Sequence, residues 1–161
     1  DPSDGPGDSE GDKPPVEEPV DVPVEFIMPV VNPTSISEYS EQMVFNSTLN
    51  RYSSHRAMDI FCAEGSDVYA VYDGEIASIE TTFLQGTTIT IDHGNGLITK
   101  YNSLADGDSV TVGQKVSQGD VIGQVSLSNR QEYKSGAHLH FEAHENGQPI
   151  DPYKYLPAQE K

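Results

Sequence analysis

The chain has a single cysteine, Cys62, in 161 residues. A lone thiol excludes an internal disulfide framework and a cysteine-built zinc cage. Set within Ile60-Phe61-Cys62-Ala63, it reads as a small core residue. Apolar runs are short, and none approaches the roughly 18 consecutive residues that a membrane-spanning helix needs. Bases are scarce: 9 Lys and Arg stand against 26 Asp and Glu, a formal net charge of −17. Phosphate binding is driven by clustered Lys and Arg, so this balance argues against nucleic acid and anionic lipid surfaces as direct ligands. Helical periodicity is nearly missing. Only Ser35–Leu49, with polar starts at Ser35 and Ser37 and weak apolar patterning, is predicted as a helix.

The acids are unevenly placed. Residues 1–25 carry nine of them, one base (Lys13) and six of the eleven prolines. With almost no aliphatic pattern, this stretch is expected to be a self-repelling, disordered linker. The remaining 136 residues hold 17 acids and 8 bases, about −9. Asp1 opens the chain in linker-like sequence without Met or a signal peptide, so a membrane anchor or signal is expected upstream.

From Ile27 onward, short apolar stretches are broken by Gly, Asp and Asn every eight to twelve residues. Predicted strands are Asp67–Val71, Gly74–Glu80, Thr87–Asp92, Leu97–Tyr101, Val121–Val125 and His138–His144. Asp73-Gly74 and His93-Gly94-Asn95-Gly96 are turn sequences, the second joining two strands as a hairpin. The expected fold is mainly β, a compact antiparallel sandwich or barrel-like domain of about 110 residues. The glycine cadence Val112–Gly123 resembles that of β domains carrying lipoyl or biotinyl arms. No Met-Lys-Met or Asp-Lys-Ala accompanies it, so it is read as structural.

The chemistry-bearing stretch is Ser135-Gly136-Ala137-His138-Leu139-His140-Phe141-Glu142. Histidines at i and i+2 on a strand share one face, and neutral imidazole is the commonest metal-ligating side chain. Alone, the pair fits a solvated strand equally well. Upstream, His55 and Asp59 complete a His₂-carboxylate set, which leaves a fourth tetrahedral position open, as catalytic zinc sites do. In an extended strand their α-carbons would lie about 13 Å apart, so Arg56-Ala57-Met58 must bend or form a helical turn. The alternative is that Asp59 caps a loop and His55 is solvated.

The ordered blocks His55–Ile60, Val68–Gly74, Ile91–Gly96, Gly136–Glu142 and Asn146–Leu156 resemble those of the LytM/lysostaphin-type (M23) metallopeptidases. The resemblance implies a zinc endopeptidase fold acting on peptide cross-links of peptidoglycan. By position it implies that His55, Asp59 and His140 bind Zn2+. It makes His138 one of two non-ligand histidines that handle protons. The other belongs to a Tyr-x-His-Leu block, which here is Tyr101-Asn102-Ser103-Leu104, so Ser103 stands where imidazole is expected. A hydroxyl cannot serve as a general base near neutral pH, and losing such a group costs about 10²–10⁴ in rate. Ala57 also replaces the family's usual glycine.

Phe26–Val30, Tyr39–Ser54 and the Tyr-x-Ser-Leu variant are similar to the stage II sporulation protein Q group within that family. This implies a catalytically impaired domain in the space between forespore and mother cell, reached through a membrane anchor. It also implies a partner ectodomain, stage III sporulation protein AH-like. The alternatives are an active endopeptidase and a glycan- or peptide-binding domain with no metal. The expected organisation is a linker over 1–25, a flanking segment over 26–54, the β domain over 55–157 and a tail over 158–161. Partner binding by strand addition at an unpaired edge is a further expectation. His93 is assigned to turn structure, and His144, about 13 Å along the strand from His140, is left out of the ligand set. Glu142 is read as orienting a ligand imidazole or as a surface ion pair, and Tyr101 as bordering the cleft.

Overall fold

The computed structural model describes residues 23–127 and 136–157. Most of the expected linker, the 158–161 tail and Ser135 lie outside the described residues. The described residues form twelve strands: β1 Ser35–Ser37, β2 Ser40–Asn46, β3 Arg51–His55, β4 Met58–Phe61, β5 Asp67–Tyr69, β6 Gly74–Thr82, β7 Gly86–Asp92, β8 Leu97–Leu104, β9 Lys115–Val116, β10 Val121–Gln124, β11 His138–Glu145 and β12 Gln148–Ile150. A 3₁₀ turn, Pro152–Lys154, is capped by the Asp151 side chain.

The main sheet runs β1-β4-β11-β8-β7-β6-β9, with β12 added beside β11, and its pairings are antiparallel. Two small antiparallel ribbons accompany it, β5 with β10 and β2 with β3. The expected mainly β, antiparallel architecture is therefore observed. One face of the sheet is apolar by strict alternation: Leu139, Phe141 and Ala143 on β11, Leu97 and Tyr101 on β8, and Ile89 and Ile91 on β7 are all buried. Phe26 closes this core, meeting Phe141 edge-on and Tyr155 at a tilt, at ring-centroid distances of 6.5 and 5.0 Å.

The helix predicted over Ser35–Leu49 is not formed. Ser35 and Ser37 resemble helix caps in sequence, yet Ser35-Ile36-Ser37 pairs with Phe61-Ile60-Asp59 as an edge strand. Residues Ser40–Asn46 fold back on Arg51–His55 through a turn in which Asn50 has φ 51°. Val44 and Phe45 are β-formers without a helical stripe, and the cross-strand pair Phe45–Tyr52, 5.3 Å between rings, rewards the ribbon instead.

Strand β8 is longer than expected, because a bulge carries it past Tyr101. Thr87 pairs with Leu104 and Ile89 with Tyr101, so one extra β8 residue is accommodated between those pairs. Within it Ser103 takes φ 72°.

Candidate metal centre

The short link between β3 and β4 sets the site. His55 ends β3, the chain turns through Arg56 and buried Ala57, and Asp59 is the second residue of β4. The expected bend is a break between two strands, not a helical turn. Asp59 lies on a central strand, in register with Ser37 on one side and His140 on the other. The strand fixes its carboxylate, which is only 6% exposed.

The three candidate ligands meet there. Asp59 Oδ2 is 2.9 Å from His55 Nε2, and Asp59 Oδ1 is 2.8 Å from His140 Nδ1. One ligand atom from each residue falls within 4.8 Å of the others. Burial alone would raise the Asp59 pKa, but hydrogen bonds and charge from His140 and His55 hold it far below the usual carboxylate range. Burial likewise pushes His55 down, and the Asp59 hydrogen bond and charge, with the Glu38 carbonyl, outweigh it and hold His55 above the ordinary imidazole value. Two nitrogen donors and one ionised oxygen, packed this closely, suit a borderline-soft divalent cation such as zinc. His55 Nδ1 donates to the Glu38 carbonyl at 3.2 Å, so Nε2 is left facing the cluster, where it donates to Asp59 without metal and would offer its lone pair to a cation.

His138 is oriented by the same device. Its Nδ1 donates to the Gly136 carbonyl at 2.8 Å, leaving Nε2 3.8 Å from Asp59 Oδ1. The ring is 2% exposed and packs against Phe61 at 5.0 Å. Ser103 stands one residue beyond Asn102, the register partner of His140. Its hydroxyl is buried and has no hydrogen-bond partner among the described residues. The backbone around it is well used: Ser103 N donates to the Gln85 carbonyl, and Ser126 N donates to the Ser103 carbonyl.

The other sequence candidates divide. Tyr101 does not border the cleft. It shares the buried face of Phe141, its register partner, where its hydroxyl accepts from Val71 N at 3.1 Å and lies 3.0 Å from Thr99 Oγ1. Burial holds that phenol protonated. The period-2 alternation Leu97, Thr99, Tyr101 already places it on the core side. His93 bridges the Asp73 carbonyl and Thr99 Oγ1, each at 2.8 Å, and burial lowers its pKa. Glu142 accepts from Asn102 Nδ2 at 3.2 Å and lies 3.9 Å from His144 Nε2. Thr88 in turn donates to Asn102 Oδ1. This Thr88–Asn102–Glu142 chain beside His140 carries no sequence motif.

A cleft of about 220 Å³ opens onto the cluster, lined by Val44, Phe45, Ser53, His55, Asp59 and Phe61 among others. The β2–β3 ribbon forms one wall, so the segment misread as helix is part of the site.

The family model for peptidase family M23 matches residues 53–152. Stage II sporulation protein Q of Bacillus subtilis is 34% identical over 109 residues, covering 66% of this chain and 38% of that protein. Peptidoglycan DD-endopeptidase ShyA of Vibrio cholerae is 31% identical over 126 residues, covering 78% of this chain and 28% of that protein. A chain in the solved structure of the SpoIIQ-SpoIIIAH pore forming complex superposes with a TM-score of 0.70 at 29% identity, covering 83% of this chain and 91% of that chain. The chain thus spans well under half the length of these two curated relatives. It belongs to peptidase family M23.

Proposed function

We propose that this domain is a zinc-binding, catalytically impaired M23 domain that works as a protein–protein interaction module in the manner of stage II sporulation protein Q. Its partner in this reading is a SpoIIIAH-like ectodomain, met in the space between forespore and mother cell, with a membrane anchor outside this sequence. The likeness to SpoIIQ in sequence and to a chain of the SpoIIQ-SpoIIIAH complex in fold supports it.

Ser103 is the observation that carries the impairment. His55, Asp59 and His140 would hold zinc, which supplies Lewis acidity when bound. Around it, proton handling falls to two residues. His138 has its Nδ1 proton committed to the Gly136 carbonyl, which leaves Nε2 as a base facing the cluster. The second position offers a hydroxyl, buried and unpaired among the described residues, where the family resemblance implies imidazole. Such a group cannot take up a proton near neutral pH. The metal-binding half of the site is present and half of its acid–base pair is not.

Peptidoglycan digestion tests this directly. The zinc-loaded chain is expected to release no peptides, whereas Ser103→His gains measurable cleavage. In parallel, the SpoIIIAH ectodomain is expected to co-elute with the chain at micromolar concentration. Peptide release by the unmodified chain would instead establish the second reading, an active zinc endopeptidase. That reading is favoured by the buried, tautomer-locked His138 and by the likeness to a peptidoglycan DD-endopeptidase.

A further inference from the structure

Four strands each contribute one polar side chain to a single row across the sheet face opposite the core. Asp59 on β4 is in register with His140 on β11, and His140 with Asn102 on β8. Side chains directly opposite on antiparallel strands share a face, with β-carbons about 5 Å apart. Thr88 on β7 completes the row, because its hydroxyl donates to Asn102 Oδ1. His140 therefore stands between two fixed neighbours. Asp59 Oδ1, 2.8 Å from the ring Nδ1, holds it from the β4 side, and Asn102 flanks it on the β8 side.

The Asn102 amide is held at both ends. It is 2% exposed, its Oδ1 accepts from Thr88, and its Nδ2 donates to Glu142 Oε2 at 3.2 Å. A carboxylate only accepts, so the amide nitrogen must face Glu142 and the amide oxygen Thr88, which leaves one orientation. Glu142 lies two residues beyond His140 on β11 and so on the same face. Its own surroundings are ordered: Lys100 is its register partner on β8, and His144 Nε2 lies 3.9 Å from Oε1. Asn102 is thus tied to both neighbours of its strand, to β7 through Thr88 and to β11 through Glu142. The other two site histidines are oriented by backbone carbonyls, His55 by Glu38 and His138 by Gly136. We infer that Asn102 does the corresponding work for His140. It is a positioning residue of the metal centre, locked by Thr88 and Glu142, and it keeps the His140 ring in the rotamer whose Nδ1 faces the cluster. This assignment rests on the zinc-binding reading and extends it to three residues that touch no metal.

The test uses the full chain and three readouts: zinc affinity by competition with a chromophoric chelator, the visible spectrum of the cobalt(II)-loaded form, and the thermal midpoint of the metal-free form. Asn102→Leu keeps the side-chain size and removes the hydrogen bonds. It is expected to weaken zinc binding by about 10–100-fold and to alter the cobalt bands, as loss of a group that orients a ligand does. Thr88→Val removes a hydroxyl two strands away from His140 and is expected to weaken zinc binding several-fold. Thr88→Ser keeps the hydroxyl and is expected to match the unmodified chain. None of these variants changes the charge, so none acts through long-range attraction for the cation. Should Asn102→Leu lose its fold, the Thr88 pair carries the comparison. Unaltered zinc affinity and cobalt spectrum in folded variants, whatever their thermal midpoints, overturn the assignment and leave the metal site standing. Equal losses in Thr88→Val and Thr88→Ser overturn it too, because the hydroxyl is then not what counts. An unmodified chain that takes up neither zinc nor cobalt removes both the assignment and the reading beneath it.

Discussion

Asp59 and His140 sit directly opposite one another on the β4–β11 ladder, and the ring Nδ1 lies 2.8 Å from the carboxylate Oδ1. Two adjacent strands with fixed register therefore hold two of the three candidate ligands. Only His55 arrives from outside the main sheet, on the ribbon that also walls the cleft. If these three residues hold a metal as proposed, its binding depends on ribbon placement, and ribbon placement on metal.

Zinc is therefore expected to stabilise the fold. A ligand that binds only the native state adds about 2.7 kcal/mol at a hundredfold excess over Kd. Chelation should lower the melting temperature by several degrees. His55→Ala, Asp59→Ala and His140→Ala should each lose stoichiometric zinc by elemental analysis and no longer respond to chelator. A variant that keeps both zinc and the stabilisation would show that its residue is not a ligand.

The metal-free protein should have its own pH optimum. Asp59 titrates below its ordinary 3.8, so its contribution is present above that value and lost as pH falls through the depressed one. His55 titrates above its ordinary 6.5, so its contribution is full below that value and lost as pH rises through the raised one. The ion pair thus stabilises most between 3.8 and 6.5. Melting temperatures of zinc-free protein should peak in that window and fall toward about pH 8. Added zinc, which requires neutral imidazole, should reverse the fall. Asp59→Asn should flatten the zinc-free profile; an unchanged profile would place the pH sensitivity elsewhere.

The histidine blocks were legible because alternation on a strand needs no tertiary information. His138 and His140 fall on one face whatever the sheet order. The ribbon was not legible, since Ser40–Asn46 becomes a strand only by pairing with Arg51–His55, and two serines ahead of it mimic helix caps. Asn102, Thr88 and Glu142 escaped for a different reason. Their hydrogen bonds join three strands across sequence separations of 14 and 40 residues, and no local pattern announces such contacts. The β8 bulge is equally silent, because nothing in Tyr101-Asn102-Ser103-Leu104 demands a positive φ.

Tyr101 anchors the buried polar chain that ties the core to the His93 turn. Removing its hydroxyl leaves Val71 N–H and Thr99 Oγ1 short of a partner in a fully buried setting. Tyr101→Phe is expected to cost about 1–3 kcal/mol in denaturant unfolding, with zinc stoichiometry unchanged. A loss of zinc would instead return Tyr101 to the site.

Ser103 bears on stability as well as on the proposed loss of catalysis. It is 1% exposed, its hydroxyl is unpaired among the described residues, and its φ of 72° is unusual for a residue with a β-carbon. A buried polar group without a partner costs about 1–3 kcal/mol. Ser103→Ala deletes the hydroxyl and keeps the backbone demand, so it is expected to stabilise the protein by about 1 kcal/mol. Ser103→Gly also relieves the left-handed strain but loosens the unfolded chain, and should end near Ser103→Ala. Ser103→His must bury a larger ring beside the bulge, so any gained hydrolysis should come with a lower melting temperature. If Ser103→Ala is instead destabilised by more than about 1 kcal/mol, the serine hydroxyl has a structural partner, and its place in the site is not that of a lost base.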